Sequence, residues 1–123
     1  VRQRARGRCE YCRIPLSRVA IPPEVDHVIA RHHGGKTVME NLAMACAHCN
    51  AYKGPNVAGV DSRSGKVVRL FNPRRDRWRD HFRYAGAVLR GLTPKGRATV
   101  RTLFINDPLE VAARAALIDE GVF

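Results

Sequence analysis

Apolar positions along this chain fall in short blocks separated by turn-forming residues, a pattern of brief strands and helices. In Glu24-Val25-Asp26-His27-Val28-Ile29 the alternation predicts a strand carrying Val25, His27 and Ile29 on one face and Asp26 and Val28 on the other. Leu42-Ala43-Met44-Ala45 predicts its partner strand, across a wide polar loop from Ala30 to Asn41 marked by Gly34-Gly35. A helix follows over Ala47 to Lys53, stopped by Gly54-Pro55. Upstream, Val1 to Arg8 reads as a short helix ending near Gly7, and Pro15, Pro22 and Pro23 keep Ile14 to Pro23 extended or turning.

Downstream, Ala58 to Asp61 and Lys66 to Phe71 flank the turn-rich Ser62-Arg63-Ser64-Gly65 and predict a second hairpin. His81 to Gly91 fits either a helix or a hairpin turning at Ala85-Gly86. Thr93-Pro94 starts a helix whose apolar face, Ala98, Val100, Leu103 and Phe104, runs toward Asn106. Asp107-Pro108-Leu109-Glu110 starts another, with Asp as cap, Pro at the first helical position and Glu at the third, running to about Glu120. No repeat, low-complexity tract or linker interrupts the chain. The expected organisation is α+β, one domain over residues 1–123, with a core over 8–54 and a C-terminal hairpin-plus-helices extension over 55–123.

Composition adds a partner. The 123 residues carry 22 Lys and Arg against 11 Asp and Glu, a net charge of +11, which implies a polyanion. No apolar run approaches the roughly 18 to 20 residues of a membrane span, so no membrane partner is expected. The charge is concentrated: twelve basic residues between Arg63 and Arg101 oppose only Asp76 and Asp80. Arginine outnumbers lysine 18 to 4, which suits bidentate phosphate contacts and points to nucleic acid. Trp78 and Phe82 among the arginines are candidate anchors, although for Trp78 a place at the edge of the core is the more ordinary reading.

The four cysteines form two Cys-x-x-Cys pairs, Cys9/Cys12 and Cys46/Cys49, the ligand spacing of one tetrahedral structural Zn²⁺. Two disulfides closing such short loops would tie almost nothing together, and a thioredoxin-like site would need one pair on a βαβ unit that the chain lacks. Structural zinc on free thiolates implies a reducing, cytoplasmic setting.

Between these pairs lie Asp26-His27, Gly34-Gly35 and Asn41-Leu42, and the second pair continues as Cys46-x-x-Cys49-Asn50-x-x-Lys53. With Cys9-x-x-Cys12, this ordered set resembles the HNH endonuclease family, in the variant with asparagine at the final histidine position; the resemblance covers Arg8 to Lys53. Ala58 to Asn106 is more weakly similar to the extension of certain bacterial HNH proteins. The resemblance implies a zinc-stabilised ββα-metal core that hydrolyses phosphodiester bonds in DNA, most naturally double-stranded, leaving 5′-phosphate and 3′-hydroxyl ends. It makes His27 the general base, since an imidazole is largely unprotonated at neutral pH. Asp26 and Asn50 become oxygen ligands of a catalytic divalent ion, Mg²⁺ or Mn²⁺ rather than Zn²⁺. Asn41 becomes the residue that holds the loop and orients His27, although an ordinary turn asparagine fits the sequence almost as well. Adjacent strand residues point to opposite faces, so Asp26 and His27 can share a site only where the strand twists or ends.

Arg31, His32, His33 and Lys36 on the loop are candidate phosphate contacts, with a solvated polar loop as the plainer reading of each. Lys53 either touches phosphate or ends its helix, His48 reads as an exposed helix residue, and His81 reads as structural. The alternative to a nuclease is a zinc-stabilised, non-catalytic nucleic-acid-binding module, which composition and cysteine spacing fit equally well. The sequence leaves open a monomer, which would naturally nick, or a two-fold dimer, which could cut both strands.

Overall fold

The computed structural model describes residues 1–123 and is α+β, with five α-helices and three two-stranded antiparallel sheets. The first helix, α1 (Arg2–Ala5), ends where Arg6 takes left-handed backbone, and leads into the first cysteine turn. There Cys9 N–H donates to Ile14 O at 3.0 Å and Arg13 N–H to Cys9 O at 2.9 Å, with Arg13 itself left-handed at φ 70°.

Strand β1 (Glu24–His27) pairs with β2 (Leu42–Ala45), bringing Asp26 opposite Ala43 and His27 opposite Leu42. β1 is two residues shorter than the expected strand and keeps the expected alternation, with the Asp26 face turned inward. Asp26 and Val28 are buried while Val25 is exposed, because the carboxylate finds partners inside that compensate its desolvation. β2 is buried on both faces, between the cysteine turn and helix α2 (Ala47–Lys53). Cys46 is the N-cap of α2, its sulfur accepting from Cys49 N–H at 3.4 Å, and Gly54 ends the helix.

The loop between β1 and β2 closes on a glycine that tolerates no side chain: a Cβ at Gly35 would lie 1.7 Å from Ile29 O and 2.9 Å from Asn41 Nδ2. Short 3-10 turns at Arg31–His33 and Met39–Asn41 give the loop some regular structure.

In the extension, β3 (Ala58–Val60) pairs with β4 (Val67–Arg69), as the turn chemistry predicts. A single turn of helix, α3 (Trp78–His81), precedes the ambiguous segment, which folds as a hairpin of β5 (Phe82–Ala85) and β6 (Val88–Gly91) around left-handed Gly86. Helix α4 (Pro94–Thr102) is capped by Thr93 and packs against this hairpin so closely that a Cβ at Gly96 would meet His81 O at 2.1 Å. α4 stops short of Asn106 because Phe104 is left-handed, and Phe104 therefore faces outward instead of joining the buried face of Ala98 and Leu103. Asn106 bonds both the N–H and C=O of Leu89, and the last helix, α5 (Pro108–Asp119), starts at its Asp107 cap.

One apolar cluster of 17 buried residues runs from the cysteines through Phe71, Phe82 and Leu89 to Leu117. Polar ties reinforce it: Trp78 Nε1 donates to Tyr11 O at 2.8 Å, Tyr84 to Cys12 O, and Arg74 pairs with buried Glu10, whose other oxygen accepts from Met44 N–H. Trp78 thus sits at the edge of the core, stacked near Phe82 and Tyr84. His81 is structural, its Nδ1 lying 2.6 Å from Thr93 Oγ1.

Candidate metal centre and cleft

The two cysteine turns bring Cys9, Cys12, Cys46 and Cys49 together, fully buried, with all four sulfurs within 4.8 Å of one another. Zn–S bonds of about 2.3 Å in a tetrahedron put sulfurs about 3.8 Å apart, and Cys12 Sγ to Cys46 Sγ is 3.8 Å. Cys12 N–H and Cys49 N–H each point at the first sulfur of their own pair, at 3.5 and 3.4 Å, which suits thiolate acceptors. These four residues are positioned to hold a metal ion and fit structural zinc, with free thiols in place of disulfides.

A second feature lies beside it. Asp26, His27 and Asn50 line one open cleft of about 400 Å³, together with Arg31, His32 and Pro55. β1 ends at His27, so the chain turns there and two adjacent residues reach the same cleft despite strand alternation. Asn50 arrives from α2, and its side chain makes no hydrogen bond within the protein. His33 and Lys36 are exposed on the loop and do not line the cleft.

Asn41 stands behind this constellation. Its Oδ1 accepts from Ile29 N–H at 2.9 Å, and its Nδ2 donates to Ile29 O at 3.0 Å and Lys36 O at 2.9 Å, clamping the loop's two ends. The residue that touches the His27 ring is Thr37, its Oγ1 2.8 Å from Nε2. Nothing in the sequence singled Thr37 out. Its role rests on a loop geometry that Gly35 and Asn41 create.

Asp26 is held more tightly than sequence reasoning foresaw. Its Oδ2 accepts from the Tyr11 hydroxyl at 2.6 Å and lies 3.1 Å from Lys53 Nζ, while Oδ1 has one long contact, 3.3 Å, to the same ammonium. Lys53 is therefore neither a surface phosphate contact nor a mere helix end. It is 1% exposed and also donates to His27 O at 3.2 Å and Val28 O at 3.0 Å. Burial pushes the Asp26 carboxyl up from the ordinary range, with Lys53 and Tyr11 opposing it, and burial beside Asp26 pushes the Tyr11 phenol well up. Oδ1 is the oxygen with coordination capacity left.

His48 also departs from expectation. Its ring is mostly covered, Nε2 lying 2.8 Å from Phe104 O and Nδ1 3.4 Å from Glu110, so it joins α2 to the C-terminal elements. The left-handed Phe104 presents the carbonyl that a continued helix would have used internally.

Comparison with known proteins agrees with this geometry. The chain is 28% identical over 102 residues to the Septu protein PtuB of Bacillus thuringiensis, covering 81% of this chain. It spans 37% of the length of that relative. No solved structure gives a significant match. The family model for the HNH endonuclease matches residues 9–56, the span of both cysteine pairs and the cleft. Residues 9–56 are thus similar to the HNH endonuclease domain.

Proposed function

We propose that this protein is a metal-dependent DNA endonuclease. The observation that carries the reading is the meeting of His27, Asp26 and Asn50 around one open cleft beside a four-cysteine centre. His27 is the general base: with Nε2–H donating to Thr37 Oγ1, the lone pair at Nδ1 takes a proton from the attacking water. Asp26 Oδ1 and the unengaged Asn50 amide oxygen supply two hard donors, a set that fits Mg²⁺ or Mn²⁺. Such an ion, when bound, stabilises the charge that builds on the phosphate and the leaving 3′ oxygen. Lys53 and Tyr11 favour the ionised form of Asp26 against its burial and aim the carboxylate. Arg31 and His32, at the cleft rim, offer contacts to flanking phosphates.

One observation favours a second reading, a zinc-stabilised binder without cleavage: Lys53 already neutralises Asp26, as in a purely structural ion pair. Supercoiled plasmid separates the two. Wild-type protein with Mg²⁺ or Mn²⁺ relaxes or linearises it, and His27→Ala retains zinc but loses about 10²- to 10⁴-fold in rate. Plasmid left intact under both ions, with DNA still bound, establishes the binder instead.

A further inference from the structure

Away from the cleft, Arg8, Arg13, Arg77, Arg79 and Arg83 line a groove of about 840 Å³ that no aspartate or glutamate side chain enters. None of these five is in an ion pair, whereas Arg18, Arg74 and Arg97 each have a carboxylate partner. Arg114 is likewise committed, buried and bonded to the carbonyls of Ala87 and Ile105. Guanidiniums gathered with no carboxylate paired to them repel one another, a cost that an incoming anion reverses.

Two of the five are held in place by rings. Arg13 Cζ lies 5.2 Å from the Trp78 ring centroid and Arg8 Cζ 5.8 Å from that of Phe123, and Arg8 Nη1 donates to Arg13 O at 3.0 Å. The Trp78 ring is fixed in turn through Nε1 to Tyr11 O, and neighbouring Tyr84 through its hydroxyl to Cys12 O. The cysteine turn therefore positions the rings, and the rings position the guanidiniums. A stacked guanidinium keeps its N–H edge free for in-plane bonds to a phosphate and has already lost much of its rotamer freedom. With arginines over Trp78 and Phe123, those rings are poorly placed to stack bases. The surface is built for backbone phosphates.

We propose that this groove binds the sugar-phosphate backbone of duplex DNA, at a site that shares no lining residue with the Asp26-His27-Asn50 cleft. Tyr11 links the two, its hydroxyl on Asp26 and its carbonyl on Trp78. The ligand rests on the nucleic-acid reading above, but binding here does not require that the cleft cut.

The test uses the His27→Ala protein without added divalent ion and a short labelled duplex, titrated across a salt series. Combining Arg77→Glu, Arg79→Glu and Arg83→Glu, all exposed, weakens binding more than about tenfold and lowers the salt slope by about 2 to 3, nearly one per lost phosphate contact. Arg63→Glu, Lys66→Glu and Arg101→Glu make the same charge change elsewhere; an equal loss there reduces the effect to net charge and overturns the site. Arg13→Lys keeps the charge but loses the planar stack, and weakens binding several-fold with the slope retained. Zinc content and melting midpoint certify each variant, and Arg13→Lys decides the matter if the triple variant does not fold. Tighter binding to an unpaired strand, or to anionic lipid vesicles, than to the duplex overturns the proposal. Because His27→Ala is the starting protein, an uncut plasmid leaves this result standing.

Discussion

Thr37 makes the sharpest residue-scale prediction, because its hydroxyl, 2.8 Å from Nε2, is the group that holds the His27 ring in the orientation the proposed mechanism uses. Thr37→Val removes that partner at nearly constant shape; plasmid cleavage is expected to fall about tenfold or more, with Thr37→Ser restoring most of it. Equal rates for Thr37→Val and wild type would remove Thr37 from the mechanism. Lys53 is tested by stability. Lys53→Met leaves the Asp26 carboxylate buried with Tyr11 as its remaining close partner, and such a broken buried pair costs about 3 to 5 kcal/mol. Urea unfolding measures the loss, and a midpoint unchanged from wild type would contradict the burial of that pair.

Among the elements, the β1–β2 loop and the β3–β4 hairpin are each pinned by one residue. Gly35→Ala drives a methyl into Ile29 O and must open the loop, so Asn41 loses its clamp and Thr37 its place beside His27. Cleavage is expected to fall while zinc content holds, because the cysteine turns lie outside the loop. Asp61 pins the other hairpin, accepting from Arg97 Nε at 2.7 Å and from the Ser64 hydroxyl and N–H. Arg97 first, and Ser64 with it, hold the Asp61 carboxyl well below the usual carboxylate range. A carboxyl depressed in the folded state stabilises above its unfolded pKa of about 3.9, and the contribution drains away as pH falls toward the folded value. Asp61→Asn therefore lowers the unfolding midpoint at pH 7, and its deficit shrinks as pH drops below about 4. A deficit that stays constant across that range would show that the charge is not what Asp61 contributes.

For the molecule as a whole, the zinc-type centre is where the elements meet. The buried cluster includes all four cysteines together with Leu103, Ile105 and Leu117 from the far end of the chain. Trp78, Tyr84 and Arg74 reach from the extension to the Cys9–Cys12 turn. A structural Zn²⁺ contributes on the order of 10 kcal/mol of folding energy, more than small folds hold in reserve. Chelation should therefore abolish the near-ultraviolet signal of Trp78 and the far-ultraviolet helix signal in one transition, with Cys9→Ser giving the same state. Two separate transitions would mean that residues 55–123 hold together without the metal.

Local chemistry was legible in the linear chain: the cysteine pairs, the Asp26-His27 doublet, the α2 span, and the caps at Thr93 and Asp107. Each rests on spacing or on a short-range bond, and neither depends on distant neighbours. Long-range choices were not legible there. His81 to Gly91 became a hairpin because α4 packs on it through Gly96, and Asp26 turned inward because Tyr11 and Lys53, 15 residues before it and 27 after, meet it there. His48 and Thr37 gained partners the same way, through Phe104 O and the folded loop. The sequence by itself determined where the four metal-binding cysteines and the Asp26-His27 doublet fall along the chain. The tertiary structure alone decided which buried charges are compensated and which arginines are left free, since pairing between distant residues depends on how the chain closes in space.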